Sequence, residues 1–357
     1  MLLQKAADYN ITSYVLDADA DSPCKNLCTR FVNASFKNYD AVMQFAQSCD
    51  IVTVEIEHVN TDALMELEKQ GKKVYPQPHL LKMVQDKGLQ KLFYKEHNIP
   101  SADFYLVENK SQILKDKFPL IQKTRTAGYD GKGVRKLNAA SDLNTAFDEP
   151  SVIEECVDFE KEISVIVARN ADGETKSYPA VEMVFNAEAN LVELLFSPAA
   201  ISPAIESEAE TIALRLISEL GLIGILAVEM FVTRDGKILV NEIAPRPHNS
   251  GHQTIEGNIT SQYEQHLRAI FNLPLGSTEI TQPAVMVNVL GEKNYTGEAK
   301  YEGLDDVLKI PGAYIHLYGK KITKPFRKMG HVTVVNKNLD VALEHAKQVM
   351  EVLKVVA

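Results

Sequence analysis

The sequence predicts a chain of mixed α/β and α+β class: a β/α layered domain at the N-terminus, a longer central body rich in strands, and a small strand-rich C-terminal domain. Three observations predict it. Short helix and strand patterns alternate over residues 1–80, which marks a β/α layer. In the centre, a Gly-rich stretch and the dipeptide Asp235-Gly236 each separate strand patterns. Beyond Pro274 strand patterns dominate up to a last helix. A length of 357 residues, at roughly 100–200 residues per domain, gives two or three domains, and 45% hydrophobic content lets each bury a core. The boundaries fall at 1–80, 81–275 and 276–357.

Each element has a local reason. Leu2 to Tyr9 is helical in pattern and Ser13 to Leu16 is a strand. Tyr39 to Cys49 is a helix with Ala41, Val42, Phe45 and Ala46 on one face. Asp50 to Glu55 is a continuous β-branched run, the pattern of a buried parallel strand. Thr61 to Gln70 is a helix ended by Gly71. The chain thus opens with a helix, where such a domain ordinarily opens with a strand and a Gly-rich turn. A shortened start is the preferred reading over a fold that lacks its first strand. Residues 86–97 form a charged amphipathic helix stopped by Asn98-Ile99-Pro100. Strands follow at Phe118 to Lys123, from Val134, at Ser151 to Glu155 and at Glu162 to Ala168. A long helix, Glu206 to Leu220, closes at Gly221. Leu226 to Thr233 and Lys237 to Ile243 are strands, and Ser261 to Phe271 is a helix. The C-terminal part reads as strands at Ala284 to Leu290, Tyr314 to Tyr318 and His331 to Val335, then a helix from Leu339 to Val352. No internal repeat or low-complexity segment is present.

Composition excludes several functions. A net charge of −10 argues against nucleic acid as the main partner, because phosphate backbones are bound by basic surfaces. Cys24 and Cys28 are spaced C-x3-C with no second pair at zinc-finger spacing, so Cys24, Cys28, Cys49 and Cys156 read as reduced thiols. Lys5 and Asp8 interrupt what would be the apolar part of a signal peptide, and no apolar run is long enough to span a bilayer. A soluble cytoplasmic protein is expected.

Residues 228–246, VEMFVTRDGKILVNEIAPR, carry the most informative local pattern. A two-residue turn at Asp235-Gly236 places Arg234 opposite Lys237, and the same register places Glu229 opposite Glu242. Facing residues project to one side with Cβ atoms roughly 4.5–5.5 Å apart. Two carboxylates there repel unless one is protonated or a cation lies between them. The expected face holds Glu229, Phe231 and Thr233 against Ile238, Val240 and Glu242. Its mostly apolar members favour a metal pair over a solvated strand face, and magnesium prefers such carboxylates together with nucleotide phosphates, with manganese as the alternative ion.

Two further segments suit anions. Thr124 to Gly133, TRTAGYDGKG, has glycines at 128, 131 and 133, whose backbone N–H groups can cradle phosphate, with Lys123 and Lys132 beside them. An ordinary hairpin loop is the competing reading. Ala244 to Gly257, APRPHNSGHQTIEG, carries Arg246, His248, Asn249, Ser250 and His252 on a loop that Pro and Gly keep irregular. Residues 318–331 add Lys320, Lys321, Lys324, Arg327 and Lys328, a basic patch on an acidic chain.

Taken in order, VTVEIEHV, QDK, KTRTAGYDGKGV, EECVDFEKEISVIVAR, VEMFV, NEIAPRPHNSGH and GKKITKPFRKMGH resemble the N5-carboxyaminoimidazole ribonucleotide synthetases, ATP-grasp ligases of purine biosynthesis. The resemblance spans essentially the whole chain, and PRPHNSGH separates this family from other ATP-grasp ligases. It implies a two-lobed ATP-grasp domain between the N- and C-terminal domains, a homodimer, and carboxylation of 5-aminoimidazole ribonucleotide by bicarbonate and ATP. By motif match it implies Lys87, Lys123 and the Gly128, Tyr129, Asp130, Gly131, Lys132, Gly133 and Val134 flap for the ATP phosphates. It implies Glu154, Glu155, Cys156 and Val157 for adenine, and Glu162 for ribose. Glu229 and Glu242, beside Asn241, match the magnesium ligands. Glu55, Tyr129, Asp130, Arg246, His248, Asn249, Ser250, Lys320, Arg327 and Lys328 match contacts to the ribonucleotide or to the carboxylating intermediate, with Asp130, Arg246, His248 and Lys320 as catalytic groups.

The sequence departs from the family at three places. The GGGQLGRM-like first turn is absent, Lys87 stands where many members have Arg, and Phe185 stands where many have His, which removes one polar ATP contact. Two other readings stay open. One is another ATP-grasp ligase, of the formate-using glycinamide ribonucleotide transformylase or biotin carboxylase type. The other is a nucleotide-binding protein without turnover.

Overall fold

The computed structural model describes residues 1–114, 117–126, 128, 133–186 and 191–357. At the N-terminus, helix α1 (Leu2–Asp8) leads to strands β1 (Tyr14–Asp17) and β2 (Arg30–Asn33), which pair in parallel. Helix α2 (Tyr39–Ala46) starts where Asn38 Oδ1 accepts the Ala41 N–H, and α3 (Thr61–Lys69) where Asn60 Oδ1 accepts that of Ala63, so an asparagine cap begins each. Between them β3 (Ile51–Thr53) pairs in parallel with β4 (Lys73–Tyr75). The expected strand Asp50 to Glu55 is therefore shorter than its β-branched run. Val52 and Val54 enter the core beside Val42, Ala63, Leu64 and Leu67, while Glu55 is exposed. Among the described residues no strand joins the β1–β2 pair to the β3–β4 pair.

Helix α4 (Pro78–Val84) and helix α5 (Lys87–Glu96) lead into the central body. Its smaller sheet is antiparallel, formed by β5 (Phe104–Val107), β6 (Leu120–Thr124), β7 (Val134–Leu137) and β8 (Ser151–Glu155) in the order β5-β8-β6-β7. The larger sheet begins with β9 (Phe159–Arg169), its short partner β10 (Thr175–Ser177), β11 (Val181–Asn186) and β12 (Leu191–Ser197). After helix α6 (Pro203–Leu220) come β13 (Gly224–Thr233) and β14 (Ile238–Ala244). A helical turn α7 (Thr254–Gly257) and helix α8 (Gln262–Ile270) follow, then β15 (Ala284–Leu290). The sheet runs β14-β13-β9-β11-β12-β15 and continues into the strands Lys328–Val335 and Ala313–Leu317. One sheet thus passes from the central body into the C-terminal domain.

Two cores hold it. Helix α6 packs Ala213, Leu216, Ile217 and Leu220 on Val165, Val167, Leu226 and Val228. Gly221, at φ +59°, ends α6 in the left-handed conformation glycine adopts without strain. The C-terminal helix Leu339–Val352 buries Ala342, Ala346 and Val349 against Val285, Val287, Val332 and Val334. The cleft lies between the small sheet and the β14-β13-β9 end of the large one, where Lys123 on β6 reaches Asn241 on β14. Among the described residues no helix is long and apolar enough to cross a membrane.

Candidate active site

The hairpin of β13 and β14 does bring Glu229 opposite Glu242, but by a different route from the expected one. The Thr233 N–H donates to the Lys237 carbonyl (2.9 Å) and the Gly236 N–H to the Thr233 carbonyl (2.9 Å). Gly236 sits at φ +79°. The loop is therefore three residues long, with glycine in the left-handed position, and Arg234 does not face Lys237. Pairing then runs Val232 to Ile238, Phe231 to Leu239 and Met230 to Val240, one residue out of the expected register. A bulge at Asn241 inserts one residue on β14 and restores Glu229 to Glu242. Two single-residue departures cancel. The face differs accordingly: Ile238 and Val240 point into the core with Met230 and Val232. The half-buried residues are Glu229, Phe231, Leu239, Asn241 and Glu242, so the bulge aims two successive polar side chains at the cleft.

β9 extends this face. Ser164 lies opposite Glu229 and Glu162 opposite Phe231. Carboxylates from three adjacent strands therefore share one surface. Burial, then the nearby Glu242 and Glu162, push the Glu229 carboxyl well above the usual carboxylate range. The Lys87 ammonium, overcoming burial, holds Glu242 below it. Burial raises Glu162 to about 7, with Lys123 opposing and Glu242 assisting. A facing pair in which one member keeps a proton can give that proton up to a hard divalent cation, which needs both carboxylates ionised and leaves its remaining positions for phosphate oxygens and water.

The cationic wall comes from α5 and β6. Lys87 and Lys91 are one turn apart on one face of α5. Lys87 Nζ bonds Glu242 Oε2 (2.5 Å). Glu154 is buried between two ammonium groups, Lys91 Nζ at 2.9 Å and Lys123 Nζ at 2.8 Å, and they hold its carboxyl down against burial. Lys123 also donates to Asn241 Oδ1 (2.7 Å). Lys91 was not among the expected ligands; its spacing from Lys87 was the available signal. Asp86, also unassigned, caps α5 through the Gly88 N–H (2.7 Å) and pairs with Arg125 Nη2 (2.6 Å) and Nε (2.9 Å). The Lys87 N–H donates to the Arg125 carbonyl (2.9 Å), so the start of α5 and the root of the Gly-rich segment are one unit.

At that segment, Gly133 has φ +76° and a Cβ there would meet Thr124 Oγ1 at 2.4 Å, so only glycine fits. Val134 opens β7 opposite Lys123. Tyr129, Asp130, Gly131 and Lys132 lie outside the described residues; Gly128 lies within them. Glu155 is exposed, with Lys117 at 3.9 Å, and the half-buried Cys156 and Val157 follow it. Phe185 packs on the buried cluster of Val181, Met183, Leu195 and Met286.

The loop after β14 closes the cleft. His248 Nε2 lies 3.5 Å from Glu229 Oε1. Its Nδ1 faces Ser250 Oγ (2.9 Å), which meets Ser164 Oγ (2.8 Å). Burial, then Arg246 and Lys328, lower the His248 pKa well below the ordinary value, so the ring is neutral. Ser250 is fully buried behind His248, which removes it from the cleft surface where a substrate contact was expected. Arg246 Nε pairs with Glu57 Oε1 (2.7 Å); Glu57, two residues beyond the expected Glu55, escaped the sequence reading. Asn249 is half-buried, and its Nδ2 is buried without a partner among the described residues. The basic patch divides. Lys320 donates to the Lys328 carbonyl (2.7 Å) and Arg327 to the Ile322 carbonyl (2.5 Å), while Lys321 turns away to Asp21 (2.7 Å).

Family comparisons match this arrangement along the chain. A ribonucleotide synthetase preATP-grasp domain matches residues 1–85, an ATP-grasp domain 92–263, and a phosphoribosylaminoimidazole carboxylase C-terminal domain 284–345. The N5-carboxyaminoimidazole ribonucleotide synthase of Aquifex aeolicus is 39% identical over 324 residues, 88% of this chain and 84% of that protein. The phosphoribosylaminoimidazole carboxylase of Ogataea methanolica is 38% identical over 357 residues, 95% of this chain, and the chain spans 65% of that relative's length. The N5-carboxyaminoimidazole ribonucleotide synthetase of Thermotoga maritima superposes with a TM-score of 0.93 at 41% identity, covering 100% of this chain and 96% of that one. The Aspergillus clavatus synthase in complex with ADP and 5-aminoimidazole ribonucleotide gives 0.90 at 36%, covering 98% and 94%.

Proposed function

The chain belongs to the N5-carboxyaminoimidazole ribonucleotide synthase family of ATP-grasp proteins, and from that premise we propose that it carboxylates 5-aminoimidazole ribonucleotide with bicarbonate and ATP. The observation that carries the proposal is the opposed pair Glu229 and Glu242, with lysines on one side and the Arg246–His248 loop on the other. Lys87, Lys123 and the segment from Gly128 to Val134 bind the ATP phosphates. Glu154 to Val157 read adenine and Glu162 the ribose. Glu229 and Glu242, beside Asn241, hold magnesium, which offsets phosphate charge when bound. Glu55, Tyr129, Arg246, His248, Asn249, Lys320, Arg327 and Lys328 receive the ribonucleotide and the carboxylating intermediate.

A bicarbonate oxygen attacks the γ-phosphorus and the bond to the β-phosphate oxygen breaks, leaving ADP and carboxyphosphate. The exocyclic amine then takes the carboxyl group as phosphate departs, and the amine proton goes to a protein base. His248 is the weaker candidate. Its Nδ1 accepts the Ser250 N–H (3.3 Å), so the neutral ring carries its proton on Nε2, on the cleft side. That leaves Asp130 as the acceptor. Phe185 offers ATP no hydrogen bond. The proposal extends to a cytoplasmic homodimer.

A coupled assay of ADP release tests the proposal. Release that requires both bicarbonate and aminoimidazole ribonucleotide is expected. Release indifferent to the ribonucleotide, or stabilisation by ATP with no ADP formed at saturation, overturns it.

A further inference from the structure

Among the described residues the loop that carries Arg246 and His248 has no strand partner, yet His248 has both backbone groups satisfied. The carbonyl accepts the Gly251 N–H (3.0 Å) within the turn, and one side chain reaches both groups from outside it. Gln262, the first residue of α8, is fully buried. Its Oε1 accepts the His248 N–H (2.9 Å) and its Nε2 donates to the His248 carbonyl (2.7 Å). The amide therefore mimics a neighbouring strand at one residue. Its orientation is forced, because a flipped amide would set oxygen against oxygen and nitrogen against nitrogen. The second Nε2 hydrogen faces His252 Nδ1 (3.0 Å), which the Tyr263 hydroxyl also approaches (2.9 Å).

The seat is shaped for this side chain. A Cβ on Gly251 would meet Gln262 Cδ and Oε1 at 2.5 Å, so residue 251 leaves the space the amide fills. The Gln262 N–H donates to Thr254 Oγ1 (2.8 Å), which donates to the Gly251 carbonyl (2.6 Å), closing the loop on α8. The far side of His248 is fixed separately, through Ser250 to Ser164 on β9.

We infer that Gln262 is a positioning residue: it fixes the His248 backbone and so sets the imidazole against Glu229, without touching substrate. The inference rests on the carboxylase reading of the same site. The Gln262→Leu substitution keeps the bulk and removes both Gln262 hydrogen bonds to His248. A misplacement of about 1 Å costs up to about 100-fold in rate. In Gln262→Leu, kcat/KM for aminoimidazole ribonucleotide should fall about 10–100-fold, while the KM for ATP stays within about threefold.

The deciding readout is a double-mutant cycle with His248→Ala. If Gln262 acts through His248, the double variant is no slower than His248→Ala alone, within about twofold. Losses that multiply overturn the inference, as does an unaltered Gln262→Leu enzyme. Should Gln262→Leu fail to fold, the isosteric Gln262→Glu carries the same cycle, with the same two outcomes. Amide exchange at His248 gives a readout independent of turnover: protection is lost in Gln262→Leu, which has no acceptor for the His248 N–H, and retained protection there contradicts the inference. A wild-type enzyme that releases ADP without needing the ribonucleotide would defeat the carboxylase reading itself, whatever the cycle shows.

Discussion

At one end of the cleft, His248 is tied down by neutral hydrogen bonds with Gln262 and Ser250, and Ser164 holds Ser250 in turn, all three fully buried. At the other, Lys87, Lys91 and Lys123 are held by Glu242 and Glu154, which are themselves proposed site groups. The hydrogen bonds of the first end involve no proposed nucleotide ligand, so none of them has to exchange when a nucleotide arrives. The second balances its charges internally, so an arriving nucleotide must exchange partners with groups already paired. A rigid end suits orientation of a reacting amine, and an exchangeable end suits binding and release of a highly charged ligand.

The largest break in this contrast comes from Glu242→Gln, which removes one member of the facing pair and frees Lys87. ADP release should fall about 100–1,000-fold with the fold intact by circular dichroism. Near-normal release would overturn the metal assignment. Arg246→Ala acts at the rigid end. A lost charge-assisted contact is worth about 1.5–3 kcal/mol, so the ribonucleotide KM should rise about tenfold or more with little change for ATP. The opposite pattern would take Arg246 out of the substrate site.

Asp86→Ala sharpens the comparison through stability. It removes the α5 cap and the partner of Arg125, and should cost about 1–3 kcal/mol in urea unfolding. A cost below about 0.3 kcal/mol would mean the clamp does not hold α5. The smallest effect is a pH dependence of the nucleotide-free protein. Burial raises Glu162 from 4.5 to about 7, and Glu229 is raised as well. The folded chain keeps protons that the unfolded chain has released, so stability from these groups falls as pH rises through that window. Melting temperature between pH 5 and 8 should show the fall, and Glu162→Gln should flatten it; an unchanged slope would contradict the raised carboxyl.

Much of this was legible because local patterns agreed with the fold. The helix ends at Gly71 and Gly221 and the strands Ser151–Glu155 and Ala284–Leu290 follow from turn chemistry and apolar runs. The facing carboxylates were legible for a partly wrong reason: Asp-Gly announces a tight turn but does not distinguish a two-residue loop from a three-residue one, and nothing in LVNEI announces a bulge at Asn241. Strands β11 and β12 were not assigned, since VEMVFN and LVELLFS carry polar and charged residues among their apolar ones. Lys91, Glu57 and Gln262 were missed because their roles depend on partners 63, 189 and 14 residues away, which no local pattern encodes. Ser250 was in the right loop, but its burial behind His248 is a matter of packing.

The most direct measurement is a crystal structure of the protein with magnesium and ADP. The account predicts one ion with an oxygen of Glu229 and an oxygen of Glu242 each about 2.0–2.1 Å away, and Lys87 moved off Glu242. An ion held by phosphate and water alone, with either carboxylate turned from it, would contradict it.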